Sequence, residues 1–118
     1  MLFHEYLKHL RLAKEVGLRE FAHKISMDVG NYSRLERGIL NPPKEDVLDR
    51  IAKALSLSKD DAQKLDDLAA VTSGRIPEDV AENLREFEYL PVLLRTIANK
   101  QLTDEQLREL TERVNKKY

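Results

Sequence analysis

The sequence predicts an all-α protein. Four to five helices form a first domain over residues 1–72, and a C-terminal extension of about three helices spans residues 76–118. Three observations lead there. Apolar residues recur at i, i+3, i+4 and i+7 through most of the chain, the spacing of a helix with one buried face. No useful stretch alternates apolar with polar at period two, so no sheet is expected. And the segment LREFAHKISMDVGNYSRLERG, Leu18 to Gly38, reads as two short helices joined by a turn of a few residues.

The first helix is expected over residues 2–15, where Phe3, Tyr6, Leu7, Leu10 and Ala13 share a face and Val16-Gly17 ends the pattern. In the second, Phe21, Ala22 and Ile25 face inward, with Glu20, His23 and Lys24 outward. Ser26-Met27 breaks the pattern, and Asp28 stands where an N-cap belongs, its carboxylate able to accept from free backbone N–H groups. Tyr32 and Leu35 give the third helix its inner face, and Gly38 closes it. Helices joined by so tight a turn cross steeply, which is helix-turn-helix geometry. Residues 39–44, ILNPPK, form a loop, because the two prolines fix φ and remove donors. A fourth helix, Glu45 to Leu55, carries Val47, Leu48, Ile51, Ala52 and Leu55 on one face. Ser58 caps a fifth, with Asp60 and Asp61 in its first turn and Leu65, Leu68, Ala69 and Val71 on its inner side.

Thr72-Ser73-Gly74-Arg75 is the expected linker. Pro77 is placed to open a sixth helix, with Val80, Leu84 and Phe87 as its stripe. The run from Tyr89 to Ala98 is too apolar for a helix that buries one face only, so it is expected to meet a partner. Tyr89, Leu90, Val92, Leu93, Leu94 and Ile97 are the candidate dimer or partner residues. Thr103-Asp104-Glu105-Gln106 is a capping box for the last helix, with Leu102 and Leu107 as a staple and Leu107, Leu110 and Val114 as its seam.

Phe21-Ala22, Lys24-Ile25, Met27-Asp28, Tyr32-Ser33-Arg34-Leu35-Glu36-Arg37-Gly38 and Asn41-Pro42 carry a resemblance. Over residues 3–57 the chain resembles phage-repressor-like regulators, the Cro/cI or xenobiotic-response-element (XRE) class. The resemblance implies that the N-terminal end of the third helix enters the DNA major groove. Arg34 would then meet guanine, Asn31 adenine and Val29 a thymine methyl, while Gly30 allows close backbone approach. Arg19, Ser33, Arg37, Asn41 and Lys44 are the expected phosphate contacts, Arg19 lying where the second helix aims its N-terminus at the backbone. An ordinary solvated face would carry similar residues; the complete motif favours base contact. The family also pairs an arginine of the first helix with the glutamate of the third, which implies a structural Arg11–Glu36 pair. One position departs: the family usually has glycine where Ser26 stands, because that turn often needs φ > 0.

Composition excludes several classes. The absence of Cys rules out disulfides, thiolate metal sites and a Cys nucleophile. No apolar run approaches the roughly 18 residues of a membrane span. His4 and His9 are five apart, not the four that a zinc-binding His pair on one helix face needs, so no metal and no cofactor is expected. No nucleophile elbow or glycine-rich phosphate loop is present, and an enzyme is not expected. The formal charge of −1 splits unevenly: residues 1–57 hold ten Lys/Arg and eight Asp/Glu, residues 58–118 ten and thirteen.

The expectation is a cytoplasmic, sequence-specific DNA-binding regulator, a repressor that binds an inverted repeat of double-stranded DNA as a homodimer. Residues 76–118 resemble more loosely a C-terminal extension of some such regulators, through Ile76-Pro77-Glu78-Asp79, Pro91-Val92-Leu93-Leu94-Arg95 and Thr103 onward. Such genes sometimes neighbour a toxin or a metallopeptidase. An antitoxin that binds a toxin, and an adaptor without DNA binding, are the alternatives.

Overall fold

The computed structural model describes all 118 residues as eight helices and no strand. The helices are α1 (Phe3–Ala13), α2 (Leu18–Lys24), α3 (Val29–Glu36), α4 (Glu45–Ala54), α5 (Lys59–Thr72), α6 (Glu78–Asn83), α7 (Leu90–Lys100) and α8 (Asp104–Lys117). Two compact units result, residues 1–80 and residues 81–118.

The first unit has one core. Phe3, Tyr6, Leu7 and Leu10 of α1, Phe21 and Ala22 of α2, and Tyr32 and Leu35 of α3 are buried in it. Leu48 and Ile51 of α4, Leu65 and Ala69 of α5, and the helix-end residues Ile25 and Leu55 join them. The Phe21 and Tyr32 rings meet edge-on at 5.2 Å, a favoured aromatic geometry that fixes α2 against α3. α1 is tied to α5 at its edge: the Tyr6 hydroxyl donates to Asp61 Oδ1 at 3.3 Å, and Lys64 Nζ lies 4.8 Å above the Tyr6 ring.

The same connector joins four pairs of helices. Glu15, Ser26, Ser56 and Gln101 are the non-glycine residues with positive φ (48° to 57°), and each lies just past a helix end. Each is followed by an apolar residue, Val16, Met27, Leu57 or Leu102, and then by the next N-cap, Gly17, Asp28, Ser58 or Thr103. The apolar residue donates its N–H five residues back: Val16 to Arg11 O, Met27 to Ala22 O, Leu57 to Ala52 O, Leu102 to Ile97 O. One left-handed residue thus satisfies the outgoing helix's carbonyls and hands the chain to the next cap. Ser26 at φ 57° therefore adopts the glycine-like conformation with a side chain attached. This connector makes the tight α2–α3 turn.

Some sequence expectations need correction. α1 ends at Ala13, because Lys14 caps it and Glu15 is left-handed. Val71 is 74 % exposed; Ala70, one residue earlier, takes the inner position as the helix turns. α6 stops at Asn83, so Phe87 lies outside it and is exposed, and the expected stripe is cut short. Pro77 precedes the helix, and Gly74, at φ +66°, follows the end of α5.

In the second unit no side chain is buried. Thr103 Oγ1 accepts from the Gln106 N–H at 3.2 Å, and Gln106 Oε1 accepts from the Thr103 N–H at 2.9 Å, so α8 opens on the expected capping box. Leu102, Leu107 and Leu110 are half-buried; Leu93, Leu94 and Val114 stay over 40 % exposed. No helix is long and apolar enough to cross a membrane.

Candidate nucleic-acid interface

α3 is oriented from both sides. Inward, Tyr32 is fully buried and Leu35 nearly so. At its start, Asp28 Oδ2 accepts from the Asn31 N–H at 3.1 Å and caps the helix as expected. With that cap and that face fixed, Asn31, Arg34 and Arg37 are left in solvent. Arg34 Nη1 donates to Asn31 Oδ1 at 2.9 Å, so these two polar side chains lie together on the exposed face. A Cβ on Gly30 would come within 3.1 Å of Asp28 Oδ2 and 3.6 Å of Arg34 Nη1; glycine here leaves room for the cap and for the arginine.

The other candidates divide. Arg19, Asn41 and Lys44 are exposed, Arg19 in the first turn of α2, whose N-cap Gly17 contributes no side-chain bond. Arg37 Nε donates to the Ser33 carbonyl at 3.3 Å, and Ser33 itself is half-buried. Val29 is half-buried at the edge of the core. Asn31 and Asn41 both line an open depression with Met27, Leu35, Leu40 and Pro43.

The back of α3 carries an ion pair. Arg11 Nε donates to Glu36 Oε2 at 2.9 Å and Nη2 to Oε1 at 2.6 Å, both side chains being buried. The third guanidinium nitrogen donates to the Val16 carbonyl at 2.8 Å, so one arginine ties α1 to α3 and to the α1–α2 connector. Burial alone would raise Glu36, but Arg11 and the Tyr32 hydroxyl hold it below its ordinary value of 4.5. The Glu36 hydrogen bonds raise Arg11 in turn. The Tyr32 hydroxyl is buried beside the pair without a well-formed hydrogen bond, and burial raises it strongly.

Sequence reasoning missed two features here. Ile39 and Leu40 follow the α3 C-cap and remain 61 % and 40 % exposed; their signal was two large apolar residues just before a proline pair. His4 lies over Gly38, where an added Cβ would come within 2.7 Å of the imidazole. His9 instead stacks on Tyr6 at 6.4 Å, so the two histidines serve separate packing roles, and no cluster of His, Asp or Glu is arranged to hold a metal.

A family model described as a helix-turn-helix domain matches residues 3–65, more than half of the chain. The chain belongs to that helix-turn-helix family. Its match begins at α1 and ends inside α5, so the helix-turn-helix domain takes in the cap, the ion pair and the exposed face of α3. No curated protein and no solved structure matches the chain. A helix-turn-helix domain of this kind suggests a DNA-binding regulator.

Proposed function

We propose that this protein is a cytoplasmic, sequence-specific transcriptional regulator of the Cro/cI-like XRE class, a repressor and not an enzyme. It acts by occluding a promoter. The exposed Asn31–Arg34 pair on an α3 whose opposite side is locked by Tyr32 and Leu35 carries this reading. Asparagine and arginine are the side chains that form bidentate contacts with adenine and guanine, and here they stand about one helical turn apart on the exposed face of α3. Arg19, in the first turn of α2, supplies a phosphate contact, as do Ser33 of α3 and Arg37, Asn41 and Lys44, which follow the C-terminal end of α3 in the chain. Residues 77–118 hold two copies together on an inverted repeat, with half-sites about 34 Å apart.

The unburied apolar side chains of α7 favour one second reading, an antitoxin whose extension covers them with a toxin. Mapping the sites bound across the source genome tests the first reading. It predicts discrete palindromic sites near promoters, whose occupancy falls steeply with salt. Uniform, weak binding without a motif contradicts it. Stoichiometric co-purification of a second polypeptide supports the antitoxin.

A further inference from the structure

Met27 lies at the turn between α2 and α3, and the chain holds no other sulfur except that of Met1. Three observations bear on it. The first is its place. Met27 follows the left-handed Ser26 and precedes the cap Asp28, and its N–H donates to Ala22 O at 2.9 Å. Its side chain is half-buried against the core. The second is access. Met27 lines the open depression beside α3, together with Asn31, Leu35, Leu40, Asn41 and Pro43, so a small solute reaches this residue from water. The third is the choice of residue. The same connector occurs four times, and at the other three this position holds Val16, Leu57 or Leu102. All three are aliphatic, so the packing role does not call for sulfur. Only the connector that sets α3 holds a side chain that a mild oxidant can change.

We infer that Met27 is an oxidation site through which a hydroperoxide releases the protein from DNA. The inference rests on the DNA-reading role of α3 above and adds its regulation. A lone pair of the thioether sulfur attacks the terminal peroxide oxygen. The S–O bond forms as the O–O bond breaks, and the remaining oxygen takes a proton and leaves as water or an alcohol. Sulfur gives up two electrons and the peroxide accepts them, so no further reactant is needed.

The product is a polar sulfoxide whose oxygen accepts hydrogen bonds. Leu35, Leu40 and Pro43 offer it no side-chain donor, and an unpaired polar group in such packing is costly. Two routes relieve it. The oxygen turns to the side-chain amides of Asn31 and Asn41, which are the residues assigned to DNA. Asn31 Oδ1 already accepts from Arg34, which leaves its NH2 group to donate. Alternatively the turn moves outward into water and carries the Asp28 cap with it. Either route removes α3 from its DNA-reading geometry. Enzymatic reduction of the sulfoxide restores the thioether, so the change is reversible.

The test uses the full chain, before and after dilute hydrogen peroxide, alongside Met27→Leu, which puts at this connector the residue that two others carry. Peptide mass spectrometry follows sulfoxide formation in the folded chain, with Met1, 69 % exposed, as the internal reference. Met27 should oxidise within about tenfold of the Met1 rate. Amide hydrogen exchange at Met27 and Tyr32, bonded to Ala22 O and Asp28 O, should then speed up at least about tenfold, as expected when an unpaired polar group opens the turn. Retention of sheared DNA from the source genome should fall by a similar factor at the sites the untreated chain selects. Met27→Leu should keep both its exchange rates and its retention in peroxide, and methionine sulfoxide reductase with dithiothreitol should restore the oxidised wild type. Met27 that stays reduced while Met1 is fully oxidised overturns the inference. So does unchanged exchange in the oxidised chain, whatever the DNA result, or a Met27→Leu chain as sensitive to peroxide as the wild type. An untreated chain that selects no DNA fragments, with exchange at the turn still rising on oxidation, overturns the DNA reading and leaves Met27 as the oxidation site.

Discussion

Arg11 and Glu36 show how a single pair of residues secures the working helix. The fork-shaped guanidinium meets both carboxylate oxygens and the Val16 carbonyl, so removing either partner leaves buried polar groups unpaired. Arg11→Ala and Glu36→Ala should each lose about 1–3 kcal/mol of stability, and the double variant much less than their sum. Additive losses in denaturant melts would contradict the pairing. Because Glu36 is lowered in the folded state, its contribution is fully present above its ordinary 4.5 and is lost as pH falls through the lowered value. The Glu36→Gln chain should therefore lose stability less steeply with acid in that window, measured by urea melts from neutral pH downward. Ser26 argues in the other direction. Its left-handed φ of 57° penalises a residue with a Cβ, so Ser26→Gly should be neutral or stabilising by up to about 1 kcal/mol. The same should hold at Glu15, Ser56 and Gln101, which have the same conformation. Thermal melts showing clear losses would mean that these side chains make compensating contacts.

At the scale of the helix, local pattern and tertiary position carry different amounts of information. The Asp28 cap, the inward Tyr32 and Leu35, the Thr103–Gln106 box and the left-handed Gly38 were legible in the sequence, because each is fixed by neighbours within a turn or two. Val71 and Phe87 were not. Periodicity names a face but cannot say where a helix leaves the core or stops, and α5 has left the core by Val71 while α6 has ended before Phe87. Of the repeated connector, only the Ser26 instance was anticipated, through the family's glycine at that position; Glu15, Ser56 and Gln101 carry no sequence mark of a positive φ. Gly38 marks the opposite case, where glycine is required twice. Its φ is +80°, and His4 occupies the space a Cβ would need. Gly38→Ala should lose about 1–3 kcal/mol. Adding His4→Ala should recover the steric part and leave the backbone part, so a double variant no better than Gly38→Ala would show that strain alone matters. Of the candidate interface, the exposure of Asn31 and Arg34 followed from the cap and the inner face, whereas the half-burial of Val29 depends on packing that no local pattern encodes.

For the whole molecule, the two units differ in kind. Residues 1–80 enclose the core, while none of the side chains in α6, α7 and α8 is buried. A chain cut after Val80 should keep its fold, become monomeric and bind an operator more weakly, because two half-sites are no longer held together. Light scattering that finds this shortened chain dimeric at micromolar concentration would place the interface elsewhere. The central claim, that α3 reads bases, is tested most directly by comparing two arginines of equal charge. Both Arg34 and Arg19 are exposed, so charge alone assigns them the same effect. Helix geometry does not. Arg34→Ala should lose about 1–3 kcal/mol on the preferred operator and flatten the preference at one base position per half-site. Arg19→Ala should weaken all sequences alike and lower the salt slope by about one unit per subunit. The measurement is affinity for a panel of single-base operator variants across a range of salt concentrations. The account predicts that only Arg34→Ala changes the base preference. If Arg34→Ala weakens every variant equally while Arg19→Ala alters the preference, the wrong face of α3 has been placed in the groove; if neither changes binding, the domain does not read DNA.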